Sequence, residues 1–282
     1  MTYMKKERVD VLSVEQGLFE TREKAKRAIM AGIVYCNEVR LDKPGEKIAV
    51  DSVLTVKGKT LPYVSRGGLK LEKALKVFDI DIKDKILLDI GSSTGGFTDC
   101  ALQNGAIMSY AVDVGYNQLA WKLRNDDRVV VMERTNFRYV TPSDLNGPMP
   151  NFSSIDVSFI SLKLILPVLK TLLVSESDVV ALVKPQFEAG REQVGKKGII
   201  RDPKVHEQVL QQIIEFSLIT GFNVKNLSFS PITGGEGNIE FLLHLRWLGE
   251  KEDHSTGINE LTISPNEIVK SAHMEFSKKA EE

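Results

Sequence analysis

Apolar and polar positions alternate with strand and helix character from about residue 66 to residue 247. Short apolar runs bounded by polar or glycine-containing stretches predict strands, and the segments between them predict helices. Strands interleaved with helices favour a doubly wound, mostly parallel sheet. The last two strands have no intervening helix, so we expect them to form an antiparallel hairpin. The seven predicted strands are 86–90, 109–114, 128–132, 154–159, 179–183, 224–229 and 239–247, and the helices are 68–78, 117–124, 161–173 and 203–220.

The first 60 residues have a different pattern. Thr21 is a suitable N-cap and Gly32 a suitable C-terminal residue for a helix between them, with Ala25, Ala28 and Ile29 on its apolar face. Short strands are predicted at 33–36, 39–41 and 53–56. We therefore expect a small α+β domain at 1–60, a linker at 61–67, an α/β domain at 68–248 and a polar tail at 249–282, with one marginal helix near 265–279 and no assigned function.

Composition restricts the class of protein without naming a function. The chain has 282 residues, is 42% hydrophobic and 27% charged, and has a net charge of −1, so any nucleic-acid surface must be local. Residues 1–60 are mildly basic, with 12 Lys and Arg against 9 Asp and Glu. Two distant cysteines and four scattered histidines predict neither disulfides nor a metal site. No apolar segment has the length of a membrane span or signal peptide, so we expect a cytoplasmic protein.

A glycine-rich loop follows the first strand of the α/β domain. Asp89 ends the strand, glycines stand at 91, 95 and 96, and a helix is predicted next. A strand, a tight glycine turn and a helix N-terminus form nucleotide-type sites in α/β proteins, although the spacing fits neither G-x-G-x-x-G nor a P-loop. Asp-x-Gly-x-x-x-Gly-Gly instead resembles the first motif of S-adenosylmethionine-dependent methyltransferases; a plain strand-to-helix turn is the alternative. The resemblance implies that the methionine moiety is surrounded by Asp89, Gly91, Ser92, Gly95, Gly96 and Phe97.

Two polar residues follow the next strands. Asp113 lies at the end of the second strand, where acidic residues of nucleotide-binding folds accept hydrogen bonds from ribose hydroxyls. Asn136 follows the third strand, and we place it near the adenine. A helix N-terminal residue and a loop cap are the respective structural alternatives.

Four charged residues occupy positions at or near strand ends, where ligands bind in α/β sheets. Asp156 interrupts an apolar strand, Lys184 ends another, Glu240 begins the final strand, and Lys70 lies on the helix before the first strand. Buried charges are rare unless they are paired, so we expect these lysines and carboxylates to neutralise one another. The Lys-Asp-Lys-Glu order resembles the tetrad of ribose 2′-O-methyltransferases related to FtsJ/RrmJ and the viral cap enzymes.

The whole arrangement resembles the TlyA, or hemolysin A, family of ribosomal RNA (cytidine-2′-O)-methyltransferases. The similarity covers roughly residues 6–247, and residues 21–37 are similar to an RNA-binding module of a small-subunit ribosomal protein. It implies a Rossmann-like methyltransferase domain, the cofactor S-adenosylmethionine, and ribosomal RNA within ribosomal subunits as partner. Lys196 and Lys197 are further candidates for phosphate contacts, with solvated side chains as the alternative. The predicted RNA-binding residues are Arg22, Lys24, Lys26, Arg27, Arg66 and Arg191.

The expected chemistry is deprotonation and alignment of a ribose 2′-hydroxyl against a sulfonium methyl group. We predict Lys184 as the base or as a group that polarises the hydroxyl. Lys70 would lower the pKa of Lys184 or hold the ribose, while Asp156 and Glu240 would orient the lysines. A non-catalytic RNA-binding or ribosome-assembly factor, a base methyltransferase and a hemolysin are the alternatives. A non-catalytic factor would not need all four charged residues. The motif that is usual in base methyltransferases is missing from this sequence, and so is the membrane segment that a hemolysin would need.

Overall fold

The chain folds as two units, Met1–Arg66 and Gly67–Glu282. The computed structural model describes residues 5–57, 61–195, 198–234, 237–250 and 256–281. No helix within these ranges is long and apolar enough to cross a membrane. Lys196 and Lys197 lie outside the described residues.

The first unit combines two helices with two small sheets in its described residues. One sheet has the order β3-β2-β5, and the other pairs β1 with β4. Its elements are β1 (Lys6–Arg8), α1 (Val9–Glu15), α2 (Arg22–Met30), β2 (Val34–Cys36), β3 (Val39–Leu41), β4 (Lys47–Ala49) and β5 (Leu54–Val56).

Helix α2 forms as its sequence predicts. The Thr21 hydroxyl accepts a hydrogen bond from Lys24 N at 3.2 Å, which satisfies one free N–H of the first turn. Ala25, Ala28 and Ile29 are buried in the core of this unit. The predicted cap and apolar face are therefore confirmed.

The second unit is built around a seven-stranded sheet with the order β11-β12-β10-β9-β6-β7-β8. Single 3-10 turns are found at Phe137–Tyr139, Pro142–Asp144, Leu162–Leu164 and Arg191–Gln193. The helices and strands are α3 (Gly68–Phe78), β6 (Ile86–Ile90), α4 (Gly96–Gln103), β7 (Met108–Val112), α5 (Trp121–Arg124), β8 (Val129–Met132), β9 (Phe152–Ile155), α6 (Leu166–Leu169), β10 (Ser177–Val183), α7 (Pro185–Glu188), α8 (Pro203–Ile219), β11 (Asn223–Phe229), β12 (Phe241–Trp247) and α9 (Pro265–Glu281).

Strand direction brings distant segments to one edge of this sheet. The strand pairs β8–β7, β7–β6, β6–β9 and β9–β10 are parallel, whereas β12 is antiparallel to both β10 and β11. The predicted parallel sheet with a C-terminal antiparallel hairpin is confirmed. The carboxyl ends of the parallel strands therefore share an edge with the amino end of β12, where the register places Val183 opposite Phe241.

Several predicted boundaries are wrong for local reasons. Strand β9 ends at Ile155 rather than at 159, because Asp156 N makes a last hydrogen bond to Ile90 O at 2.9 Å and the chain then turns through Phe159 at φ 63°. Strand β12 begins at Phe241, so Glu240 precedes it. The single helix predicted at 161–173 is a 3-10 turn followed by the four-residue α6, which has a proline in its first turn.

Residues 265–281 form a 17-residue helix, where the sequence predicted only a marginal helix in a polar tail. Ile268, Val269 and Ala272 are buried in the main core of the second unit. His206 of α8 lies 3.0 Å from His273 of α9, between Nδ1 and Nε2. Helix α9 is thus part of the folded unit.

Candidate active site

Lys70, Asp156, Lys184 and Glu240 form one continuous chain of ion pairs at the shared sheet edge. Lys184 Nζ lies 2.6 Å from Asp156 Oδ1, and Lys70 Nζ lies 3.4 Å from Asp156 Oδ2. Lys70 Nζ also lies 2.7 Å from Glu240 Oε2. The structure therefore brings together four residues that span 171 positions of sequence, and both lysines share one carboxylate.

The fold explains why these side chains meet. Asp156 follows β9, Lys184 follows β10, and Glu240 precedes the antiparallel strand β12, so all three emerge at the same edge. Lys70 is in the first turn of α3. The exposed fractions of the Lys70, Lys184 and Glu240 side chains are 9%, 10% and 3%, which makes mutual neutralisation necessary.

Burial and ion pairing act in opposite directions on these groups. Burial alone would lower the pKa of Lys70, but the carboxylates of Asp156 and Glu240 outweigh burial, and the net pKa is raised. Burial would raise the pKa of Asp156, but the two lysines reverse this effect and lower its pKa. Lys70 is consequently held as a cation and Asp156 as an anion.

Lys184 has a second polar neighbour that the sequence analysis missed. Its Nζ donates to Ser158 Oγ at 3.0 Å, in addition to the ion pair with Asp156. The ring centroid of Phe187 lies 5.9 Å from the same Nζ. Ser158 could have been found from the sequence, because it is a hydroxyl-bearing residue two positions after Asp156.

Two aromatic rings mark the outer side of the site. Phe159 is 90% exposed, and its ring lies 4.9 Å from that of Phe187. Arg191 lines the shallow depression next to these rings. An exposed aromatic ring that packs on a half-buried one, beside a cation, suits contact with a nucleobase and a phosphate.

A cavity of about 450 Å³ adjoins the ion-paired chain at the same sheet edge. This volume is in the range of small-molecule sites, which combine apolar walls with a few polar groups. Of the predicted cofactor residues, Gly91, Asp113 and Asn136 line it, and Asp156 joins it to the lysines. The lining residues that sequence reasoning missed include Ser93, Gln118, Thr135, Arg138, Ser158 and Phe159.

Asp113 connects the glycine loop to the cavity wall at the end of β7. Its Oδ2 accepts from Ser93 N and its Oδ1 from Gly115 N, each at 2.7 Å. Each carboxylate oxygen retains a second lone pair for a ligand hydroxyl. Asn136 Oδ1 accepts from Arg138 N at 3.2 Å, so it caps a 3-10 turn as well as lining the cavity.

Gly91 sits where the backbones of two strands converge. Its φ is +83°, and a Cβ built there would lie 2.4 Å from the carbonyl oxygen of Asp156. Only glycine fits this turn without moving the Asp156 backbone.

The remaining predicted cofactor residues support the loop and do not line the cavity. Asp89 is fully buried; its oxygens accept from Thr98 Oγ1 at 2.7 Å and Ser154 Oγ at 2.8 Å. Burial raises its pKa to about 6, although these hydrogen bonds oppose the shift. Ser92, Gly95, Gly96 and Phe97 form the turn and the buried start of α4.

The cations predicted to bind RNA in the first unit are mostly engaged in ion pairs. Arg22 contacts buried Asp10 at 2.8 Å, Lys26 contacts Glu23 at 2.7 Å, and Lys24 pairs with Glu20. Arg27 and Lys24 line a shallow groove of this unit. Surface pairs of this kind are weak, so the lysines remain available to phosphate. Arg66 and Arg191 are exposed in their respective units.

Comparison with known proteins decides the family. The FtsJ-like methyltransferase model matches residues 63–247, and the S4 domain model matches residues 7–54. The chain belongs to the FtsJ-like methyltransferase family. The resemblance inferred from the sequence motifs is confirmed, and the second unit is a methyltransferase domain.

Similar proteins extend over nearly the whole chain. A Bacillus subtilis protein provisionally named rRNA methyltransferase YqxC is 76% identical over 88% of this chain and 89% of its own length. The 16S/23S rRNA (cytidine-2′-O)-methyltransferase TlyA of Mycobacterium tuberculosis is 39% identical over 90% of this chain and 94% of its own. A solved Streptococcus thermophilus structure, provisionally named a hemolysin, has a TM-score of 0.78 and 59% identity, covering 99% of this chain and 100% of its own.

Proposed function

We propose that this methyltransferase transfers the methyl group of S-adenosylmethionine to a ribose 2′-hydroxyl of ribosomal RNA, with cytidine as the target nucleoside. The observation that carries the proposal is the buried Lys184–Asp156–Lys70–Glu240 chain beside a ligand-sized cavity. The M. tuberculosis relative is named for this reaction on 16S and 23S rRNA.

Lys184 is the residue we assign to the hydroxyl proton. Its nitrogen is held by Asp156 Oδ1 and Ser158 Oγ, and both of these residues line the cavity. Asp156 therefore acts by orienting Lys184, and Glu240 acts by orienting Lys70. We assign Lys70, held as a cation between Asp156 and Glu240, to the ribose and phosphate next to the target hydroxyl.

The cavity residues fit S-adenosylmethionine, which supplies an electrophilic methyl group on its sulfonium. The Asp113 carboxylate is placed to accept from ribose hydroxyls, and Asn136 offers an amide for the adenine. Gly91 lets the ligand approach the main chain closely. We assign Asp89, Ser92, Gly95, Gly96 and Phe97 to shaping the loop that holds the methionine moiety.

The RNA partner is proposed from the first unit and from the rim of the active site. Residues 1–60 include the S4 domain match, and α2 presents Arg22, Lys24, Lys26 and Arg27. Phe159, exposed at the cavity, offers a face on which the target base can stack once it leaves its helix. We propose that residues 68–248 carry out the transfer, with Arg66 and Arg191 contacting phosphates.

The Lys184→Ala variant tests the assigned base. We expect methyl transfer to ribosomal subunits to fall by about 10²- to 10⁴-fold, the usual contribution of a positioned acid or base. Cofactor binding, measured by calorimetry with S-adenosylhomocysteine, should stay within about 3-fold of wild type because Lys184 does not line the cavity. Lys83→Ala, an exposed lysine before β6 at the opposite sheet edge, is the matched control. Normal turnover in Lys184→Ala would contradict the assignment.

The reaction itself is tested by mapping ribose methylation. Purified wild-type protein, labelled S-adenosylmethionine and ribosomal subunits from a strain lacking the gene should give 2′-O-methylcytidine, identified by mass spectrometry. Methylation of a base would favour a different transferase chemistry. RNA binding without any transfer would favour a non-catalytic assembly factor.

A further inference from the structure

The segment that connects β9 to the next 3-10 turn, residues 156–162, carries much of the active site. We call it the 156–162 loop. Asp156 pairs with both lysines, Ser158 accepts from Lys184, and Phe159 and Ile160 line the cavity. The position of this loop therefore sets the cavity wall and the surroundings of Lys184 together.

The loop holds one residue in an unfavourable backbone conformation. Phe159 has φ 63°, in the left-handed region that bulky side chains rarely occupy, and its ring is 90% exposed. A strained residue of this kind persists only where the surrounding structure holds it. The ring contact with Phe187 is available in many backbone conformations, so it does not by itself fix φ.

Glu188 holds the far end of the loop. One carboxylate oxygen accepts from Ser161 Oγ at 2.5 Å and the other accepts from Leu162 N at 2.8 Å. The near end is held by Asp156 and Ser158, so Phe159 lies between two fixed points. Burial raises the pKa of the Glu188 carboxyl, although these two hydrogen bonds oppose the shift.

Glu188 is also rigidly connected to Lys184. Helix α7 begins directly after Lys184 and ends at Glu188, and Phe187 N donates to Lys184 O at 2.9 Å. Lys184 thus caps the start of this short helix, Phe187 lies within it, and Glu188, which holds the 156–162 loop, is its last residue. A carboxylate, with two acceptor oxygens, can accept both loop donors on separate oxygens, whereas an amide offers one oxygen.

We propose that Glu188 is a positioning residue for methyl transfer: it fastens the 156–162 loop to α7 and so keeps Asp156, Ser158 and Phe159 in place around Lys184. The inference rests on the proposed function for its kinetic consequence, but its structural consequence is independent of the substrate. Glu188 does not line the cofactor cavity and touches no reacting atom in this assignment.

A double-mutant cycle tests the proposal kinetically. We expect Glu188→Ala to lower kcat for ribosomal subunits by about 10- to 100-fold, since displacement of catalytic groups by about 1 Å has effects of this size. Ser161→Ala, which keeps the Leu162 bond, should lose about 3- to 10-fold, and Glu188→Gln, whose single amide oxygen cannot replace both carboxylate oxygens, should lose a similar amount. The double variant should match Glu188→Ala alone, because both changes remove the same link. Glu192→Ala, an exposed carboxylate four residues later, should remain at wild-type kcat and KM.

Crystal structures of Ser161→Ala and Glu188→Ala supply the independent readout. We expect φ of Phe159 to leave the positive region in Glu188→Ala, with a longer Lys184–Ser158 distance. Additive losses in the cycle, or an unchanged Phe159 in an inactive Glu188→Ala, would overturn the proposal. If Glu188→Ala does not fold, wild-type kinetics in Ser161→Ala would overturn it equally. A wild-type protein without transferase activity would instead overturn the proposed function, and the Phe159 geometry would still decide the role of Glu188.

Discussion

At the scale of single residues, Asp156 connects the ion-paired chain of the candidate site to the cofactor cavity. Its side-chain oxygens bind Lys184 and Lys70, while its main-chain carbonyl lies against Gly91. A change at Gly91 is therefore transmitted both to the cofactor cavity and to the ion-paired chain.

Gly91→Ala should impair cofactor binding more than its backbone conformation alone explains. The added Cβ would lie 2.4 Å from Asp156 O, and backbone atoms cannot move away as easily as a flexible side chain. We expect the affinity for S-adenosylhomocysteine to fall at least about 10-fold and stability to fall by about 1–3 kcal/mol. Calorimetry and denaturant unfolding measure the two effects.

Gly198→Ala is the control for this substitution. Gly198 has φ +71°, but among the described residues no atom beyond its chain neighbours lies within 4 Å of the position that its Cβ would take. It should show the cost of positive φ without loss of cofactor affinity. Equal affinities of the two variants would show that the close approach at Gly91 is unimportant.

At the scale of elements, helices α8 and α9 contact each other through two histidines, His206 and His273. Both have lowered pKa values. Burial, followed by the neighbouring His273, lowers the pKa of His206 to about 4, and burial also lowers the pKa of His273. Asp202, the N-cap residue of α8, opposes both shifts. The unfolded chain therefore binds protons on these rings at a higher pH than the folded chain does.

We expect this pair to make the second unit less stable in acid. The contribution of His206 is fully present above about pH 6.5 and is lost as the pH falls toward 4, on the order of 3 kcal/mol for a shift of this size. Denaturant unfolding of wild type and His206→Gln across this range measures it. The difference between the two curves isolates His206 from Asp89, whose raised pKa gives a dependence of the opposite sign. Parallel curves would refute the expectation.

Sequence pattern predicted the elements better than it predicted how they are joined. Apolar runs located β6 and β10 because these strands are buried on both faces. The β1–β4 pair was missed, because it joins short charged strands about 40 residues apart and no local pattern encodes that contact. The Glu188–Ser161 bond was missed for the same reason, because the two residues lie 27 positions apart in the sequence.

The site was partly predictable, because the order and direction of the strands determine where residues next to strand ends lie in space. Asp156, Lys184 and Glu240 each stand next to a strand end, and a parallel sheet with a final antiparallel strand brings such ends together. The cofactor residues were less predictable. Asp89 and Phe97 belong to the same motif as Gly91, but their side chains turn into the core.

The whole molecule has a net charge of −1, so affinity for RNA must come from local groups. Helix α2 of the first unit supplies four cations, three of which are already paired with carboxylates. Phosphate can replace the exposed carboxylates of Glu20 and Glu23 as partners of Lys24 and Lys26, with release of counterions from the RNA.

Replacing Lys24, Lys26 and Arg27 together by alanine should weaken binding to ribosomal subunits and flatten its salt dependence. The slope of log Kobs against log salt concentration should fall in magnitude by about 0.9 for each phosphate that the variant no longer neutralises. Filter binding at several salt concentrations measures this slope, with Lys76→Ala/Lys83→Ala in the second unit as the control. An unchanged slope would place the RNA-binding surface elsewhere. Arg22 is omitted because its ion pair with Asp10 supports the fold of the first unit.

The insertion of β12 between β10 and β11 has a consequence for biosynthesis. A ribosome releases the chain from its amino end, so the cavity residues 90–165 emerge well before Glu240. Until β12 follows, β10 has an unpaired edge and Lys70 lacks one of its two carboxylate partners. Unpaired strand edges favour association with other chains. A nascent chain arrested before residue 240 should therefore be prone to aggregation and catalytically incompetent, even where its cofactor cavity has already formed.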